Sequence, residues 1–439
     1  MRTMAETEFH FDLSIDSSVA TTERRSVVHR IIWRHALAAW SIFLSVHSLV
    51  VADPSGGTMI VKTVEPDVLR GRVVSLSLTN GLMLETSAAP IHIPLMNLVR
   101  LTSTTESVER APRETSFTLV GSDRLYGRLI EGNDDNIIVE TADLGRVTLP
   151  LEFLERIEVP QIGEAGFRDA VSWFDEQPSD SEDRVLLTNG DVTRGFVSSI
   201  DSEGVVLEGS AGPTRIPHRL IVSLRLATPK SRPIDTPHAV VSFTNSGRVT
   251  VRSLEWRDDA VAAQLVAGPA VQCKVESIAR IDFLGGRWEW LSGYAPISDE
   301  TVPMLSLHWD SRPDQNVLGG PITVAGESFE RGIGVHSRSK LAFDLRGAYR
   351  EFVTSYGMDD DSGPLADVSV MVLVDGQRRH NQPEVRKGKL FGPFRMDITR
   401  ANRIELVVDF GKNGDLQDRF DWVEAALIRN AENPTNNDR

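Results

Sequence analysis

Cysteine is almost missing from this sequence. Cys273 is the only one, so the chain can build neither a disulfide framework nor a thiolate metal site. Positive charge is short as well: 47 Lys and Arg stand against 62 Asp and Glu, a formal charge of −15. Phosphate contacts need clustered bases, so this balance disfavours nucleic acid as a partner. The HExxH, GxSxG and P-loop patterns are absent, which removes the metalloprotease, serine-hydrolase and nucleotide-hydrolysing classes that they mark. What remains is 439 residues, 41% hydrophobic and 25% charged, an ordinary globular balance with room for two to four domains.

The N-terminus carries an address. Arg24, Arg25, Arg30 and Arg34 precede the apolar run from Ala36 to Val46, and Val50-Val51-Ala52 offers small residues before Asp53-Pro54. Residues 1–52 therefore read as a signal peptide or an N-terminal anchor, with a run too short to favour a permanent span. Arg24-Arg25-Ser26-Val27-Val28 loosely fits a twin-arginine export signal. The chain is expected to be exported, to a periplasmic, cell-envelope or extracellular location.

Residues 58 to 285 repeat themselves. Leu69-Arg70-Gly71, Leu125-Tyr126-Gly127 and Thr193-Arg194-Gly195 hold equivalent places, with Val249-Thr250-Val251 as a degenerate fourth. Ile93-Pro94, Leu149-Pro150 and Ile216-Pro217 correspond further on, and Cys273-Lys274 stands in the last copy. Each copy closes on an apolar residue seven positions later: Leu101, Ile157, Leu224 and Ile281, offset by 56, 67 and 57 residues. A register held at three landmarks defines copies at 58–104, 115–160, 182–228 and 238–285. Alternating β-branched residues between Gly, Asn and Asp clusters predict about five short antiparallel strands per copy. Such a unit suits a small barrel, because closure removes exposed edges.

The stretch "LTNGDVTRGFV" from Leu187 to Val197 resembles the opening of Sm-like barrels in its strand rhythm. The RNA binding of that family is not expected of an acidic exported chain. A four-bladed propeller is the rival arrangement. The extra residues between copies two and three, including Trp173, Asp175 and Pro178, favour beads on a string. The copies read as a scaffold, with a protein partner as one use, and Cys273 reads as a buried apolar thiol.

The texture changes after Gly285-Gly286. Trp288, Trp290, Trp309 and Trp422 gather there, and Asp367 to Gly376 alternates valines into an Asp-Gly turn, a strand and hairpin. Arg403 to Asp409 reads as another strand. The fold class is all-β: tandem barrel-like repeats, then a jelly-roll β-sandwich over 286–430.

Four ordered motifs lie in that region: Gly332-Ile333-Gly334-Val335-His336, Phe352 to Asp360 ending in Gly357-Met358-Asp359-Asp360, Val374-Asp375-Gly376, and Asp421-Trp422-Val423-Glu424-Ala425. Together they resemble the carbohydrate-binding module family attached to family 98 glycoside hydrolases. The resemblance implies a galactose-binding-like sandwich that holds glycans, galactose-containing ones among them, without cleaving them. This chain has Arg419-Phe420 where members often carry His-Ala, and only Gly411 to Asp415 remains of a Gly- and Asp-rich loop.

Sugar hydroxyls are read by short charged side chains backed by an aromatic face. The loops linking the predicted strands bring forward His336, Arg338, Asp359, Asp360, Asp415, Asp418 and Trp422. Trp309 offers a second flat face, although tryptophans more often fill a sandwich core. His336 as a structural group closing a sheet edge competes with a ligand role and outweighs it. Asp359, Asp360 and Asp361 could hold structural calcium or form a solvated turn; no other cofactor is expected. A glycosidase needs two carboxylates about 5 to 10 Å apart in a cleft, whereas Asp134-Asp135 and Asp258-Asp259 fall in predicted turns. The expected function is non-catalytic glycan binding by a module displayed on repeats. An envelope scaffold that binds no sugar is the alternative.

Overall fold

The computed structural model describes residues 58–104, 114–160, 174, 182–210, 212–227, 234, 236–304 and 308–431. The expected signal or anchor at 1–52, and most of the stretch between copies two and three, lie outside these residues.

Each copy is a five-stranded meander. In the first, Thr58–Thr63, Leu69–Ser77, Gly81–Glu85 and Pro90–Ile93 pair in sequence order, and Leu98–Ser103 folds back onto Thr58–Thr63. The glycine landmark has a steric cause. A Cβ at Gly71, Gly127 or Gly195 would stand 2.3, 2.3 or 2.5 Å from the carbonyl oxygen of Glu85, Glu140 or Glu208, so the long second strand can bend over the third only without a side chain. The proline landmark starts the single 3₁₀ turn between strands four and five, as Pro94 does before Leu95–Asn97; its ring supplies the fixed φ that the corner needs. Cys273 takes the inward position of Ile93 and Ile216, and it is buried. Burial, and then Asp143 nearby, pushes its thiol up to about 12, so it packs as a small apolar group.

The copies are not independent beads. The fifth strand of the first, Leu98–Ser103, lies antiparallel to Ile278–Leu284 of the fourth, with Leu101 opposite Ile281. The second and third copies repeat the arrangement through Leu154–Glu158 and Ile221–Arg225, with Ile157 opposite Leu224. A fifth strand bonded on one side only would leave a row of open backbone groups, and edge pairing satisfies them. The fourth copy also reaches the second, where Asp123 accepts hydrogen bonds from the Thr250 backbone N–H at 2.8 Å and hydroxyl at 2.7 Å. The inward residues merge into one apolar core that runs from Met59 to Phe283.

The C-terminal region is a two-sheet sandwich. One sheet orders Arg312–Pro313, Gly332–His336, Arg419–Arg429, Tyr349–Met358 and Phe391–Asp397, with Trp288–Trp290 also on the last-in-sequence strand. The other orders Ser298–Thr301, Ser339–Asp344, Arg403–Phe410, Asp367–Val374 and Gln377–Arg386. Valines 368, 370, 372 and 374 alternate inward against Tyr356, Phe420 and Trp422.

The sandwich is docked on the first and fourth copies. Val64 and Val99 pack against Trp288, Trp290, Ile428 and Val353. Above this patch, Glu424 binds Lys62 and Arg100, each at 2.9 Å, and Arg100 also binds Asp282 at 2.5 Å. Burial alone would raise the Glu424 carboxyl, but the two cations more than offset it and hold it below the usual glutamate range. The pairing gives each of these partly buried charges an opposite partner.

Candidate functional site

Two chain crossings between the sheets meet at one end of the sandwich. His336 ends a strand of the first sheet, and the chain passes through the cis Ser337–Arg338 peptide to Ser339–Asp344 in the second. Residues 411–418 cross back, from Arg403–Phe410 to Arg419–Arg429. Ser337 ties the crossings together: its hydroxyl donates to Asp418 Oδ2 at 2.6 Å, and its N–H reaches the Asp418 carbonyl at 3.4 Å. Asp418 Oδ1 accepts the Asp367 N–H at 3.1 Å. Asp367 in turn accepts the N–H groups of Lys412 and Asn413. Two buried carboxylates thus pin the returning loop.

Three of the seven residues expected to contact sugar, His336, Arg338 and Asp415, come together here, with Trp309 beside them. His336 is buried at 7% exposure, and Trp309 lies flat on its ring, centroids 5.4 Å apart and planes 12° apart. His336 Nδ1 stands 2.9 Å from the Ser337 carbonyl. A carbonyl only accepts, so the neutral ring carries its proton on Nδ1 and its lone pair on Nε2. Burial holds the ring below the usual histidine range, helped by Arg419 and opposed by the Ser337 contact and Asp415. Arg338 is exposed, 3.7 Å from Asp409, and the half-buried Asp415 accepts the Met304 N–H at 3.0 Å. The surface formed is one indole face, a guanidinium, two carboxylates and an imidazole.

Four expected contacts are not on that surface. Asp418 is fully buried, and burial raises its carboxyl to about 7, with Asp367 and Asp415 adding to the rise; it anchors the loop. Trp422 is fully buried, edge-on to Tyr356 and Phe420 at 5.6 and 5.3 Å. Asp359 is fully buried too, and its oxygens accept the N–H groups of Asp361 at 2.8 Å and Thr323 at 3.1 Å. Asp360 accepts the Gly326 N–H at 2.8 Å. The aspartate run is thus spent on closing its own loop against the Ile322–Val324 and Glu327–Phe329 hairpin. Among the described residues, no group of three or more His, Cys, Asp or Glu side chains could hold a metal ion. Asp421 is buried beneath the same loop, and burial, then Asp359, pushes it well above the carboxylate range.

The sequence could have separated the two tryptophans. Trp422 sits two residues from Phe420 in an apolar strand, on the same face of the pleat, while Trp309 stands between His308 and Asp310 in the manner of a surface loop. The parts of Ser337, Asp409 and Arg419 had no such signal, because only the meeting of the two crossings brings them together.

Comparison with known proteins adds the following. Residues 288–428 match the model of the NPCBM/NEW2 domain. Among solved structures, a CBM51 module of a Clostridium perfringens family 95 glycoside hydrolase, in complex with methyl-galactose, is 25% identical; the match covers 32% of this chain and 99% of that one, with a TM-score of 0.29. The second CBM51 module of Clostridium perfringens ZmpB with its INT domains, in complex with GlcNAc, is 22% identical over 42% of this chain and 44% of that one, TM-score 0.29. The tandem CBM51 modules of a Streptococcus pneumoniae family 98 glycoside hydrolase are 15% identical over 72% of this chain and 88% of that one, TM-score 0.30. No curated protein matches. The sandwich, about a third of the chain, is similar in sequence to the NPCBM/NEW2 domain.

Proposed function

We propose that this chain is an exported, non-catalytic carbohydrate-binding protein whose sandwich holds a glycan on the surface of Trp309, His336, Arg338 and Asp415. The observation that carries this reading is the Trp309–His336 stack, which braces one aromatic face at the rim of a polar surface. An indole face packs against the C–H face of a sugar ring, and the guanidinium, carboxylate and Nε2 lone pair serve its hydroxyls. The match of residues 288–428 to the NPCBM/NEW2 model supports the ligand class.

Non-catalytic action is supported by how the reactive-looking groups are engaged. The Ser337 hydroxyl donates to a buried carboxyl and His336 Nδ1 faces a backbone carbonyl, so the two are not arranged as nucleophile and base. Galactose-containing glycans are the first ligands to try. Export rests on the leader read from residues 1–52, and cell fractionation tests it.

A glycan array probed with the full chain and with Trp309→Ala and Arg338→Ala tests the site. Binding by the parent that both substitutions reduce supports it. A parent that binds no glycan overturns it and leaves the envelope-scaffold reading in place.

A further inference from the structure

We propose that a second surface, the edge formed by Gln377–Arg386 and Phe391–Asp397, is a track for an anionic polysaccharide bearing sulfate or carboxylate groups. In a chain of charge −15, residues 375–400 hold seven Lys and Arg against three Asp and Glu. Part of that charge is used locally: Arg386 meets Glu384 and Asp367, and Arg395 meets Glu351. Arg378, Arg379 and Lys389 are exposed and, among the described residues, form no ion pair within 4.0 Å, although Arg379 is near enough to Asp397 to help lower its carboxyl. Lys387 turns its ammonium to the carbonyls of Asp360 and Ser362, which leaves its charge uncompensated.

The two strands are the last in their sheets, each bonded on one side only. Between them lies an aromatic floor. Phe391 and Phe394 are half-buried and stack on Tyr356 at 5.5 Å each, His380 lies 4.7 Å from Phe394, and the Lys389 ammonium sits 4.4 Å over Phe391. From Arg378 to Lys387 the strand runs roughly 30 Å, the reach of a polymer rather than of one sugar.

Exposed guanidinium forks suit the paired oxygens of sulfate or carboxylate, and the partly exposed rings offer stacking for sugar faces. The acidic remainder of the protein repels a polyanion, which confines it to this edge. The choice of a glycan over another polyanion rests on the function proposed above, whereas the site uses side chains other than those of the Trp309 surface.

The test uses the full chain with four polymers: a sulfated galactan, a polyuronate, a neutral galactan and single-stranded DNA. Affinity electrophoresis at about 20 and about 300 mM NaCl should show retardation by the sulfated polymer, the polyuronate or both, weakened by salt. Which one binds identifies the anion. The combined Arg378→Ala, Arg379→Ala, Lys389→Ala variant should lose at least about tenfold in affinity with an unchanged melting curve. Trp309→Ala should keep this binding while losing the array ligand, so each reading fails separately. Three outcomes overturn the proposal: undiminished binding by the triple variant, no preference over neutral galactan, or equal retention of DNA.

Discussion

Leu101 in the first copy lies directly opposite Ile281 in the fourth, both with no exposed surface. Each is the residue on which its copy closes, and the same pair of positions meets again as Ile157 and Leu224. The repeat is therefore written into the contact between copies as well as into each one.

Leu101→Ala leaves a cavity where two copies join. A loss of about 2 to 4 kcal/mol is expected, read from a lower denaturant midpoint at unchanged slope. A substitution without effect on the midpoint would mean that the edge pairing adds nothing to stability.

Arg100 holds two acids, Glu424 of the sandwich and Asp282 of the fourth copy. Arg100→Ala leaves Glu424 with Lys62 alone and Asp282 with Arg280 alone and should cost on the order of 1 to 2 kcal/mol. Glu424 sits below its ordinary value in the folded chain. Its contribution is therefore present above the unfolded glutamate value and fades as pH falls through the folded one. Melting curves of Glu424→Gln should lose part of the acid sensitivity that the parent shows below the ordinary glutamate range.

Asp418 titrates in the opposite sense. With a folded value of about 7 against 3.8, the native chain keeps a proton that the unfolded chain releases between those limits. Stability from this group is fully present at acid pH, erodes as pH rises from about 4 to about 7, and is level beyond. Asp418→Asn mimics the protonated form: its carbonyl accepts from Asp367 N–H and its amide donates to the Ser337 hydroxyl. The variant should fold and show a flatter stability profile over that window. An unchanged slope would place the titration elsewhere.

The two tryptophans should separate binding from folding. Trp309→Ala is expected to abolish glycan binding and leave the thermal midpoint within a few degrees. Trp422→Ala should cost about 3 to 5 kcal/mol, because it empties the centre of the sandwich core.

Much was legible in the residues before any coordinates. Gly71, Gly127 and Gly195 mark where one strand must bend across a carbonyl, and Pro94 marks the corner into the closing strand. Both constraints are local, acting through the chain's own backbone, so they leave a pattern in one dimension. The alternating valines from 368 to 374 announced a half-buried strand for the same reason.

The candidate site was legible only in part. Arg338 and Asp415 lie in loops and His336 at a strand end, places that a motif reading can find, but Asp359, Asp418 and Trp422 look the same on paper and are fully buried. An aspartate's letter does not say whether its oxygens face water or backbone amides. That depends on where a second segment passes, as the Ser337 hydroxyl and the Asp367 N–H show for Asp418. The copies, their strands, the sandwich and the order of its motifs are legible in one dimension, because periodicity and backbone sterics act over a few residues. Which copies pair, that Glu424 and Arg100 lock the sandwich to them, and that Trp309 rather than Trp422 lies on His336 emerge only in three dimensions. Each of those is a meeting of segments far apart in the chain, settled by edge pairing, charge matching and core packing together.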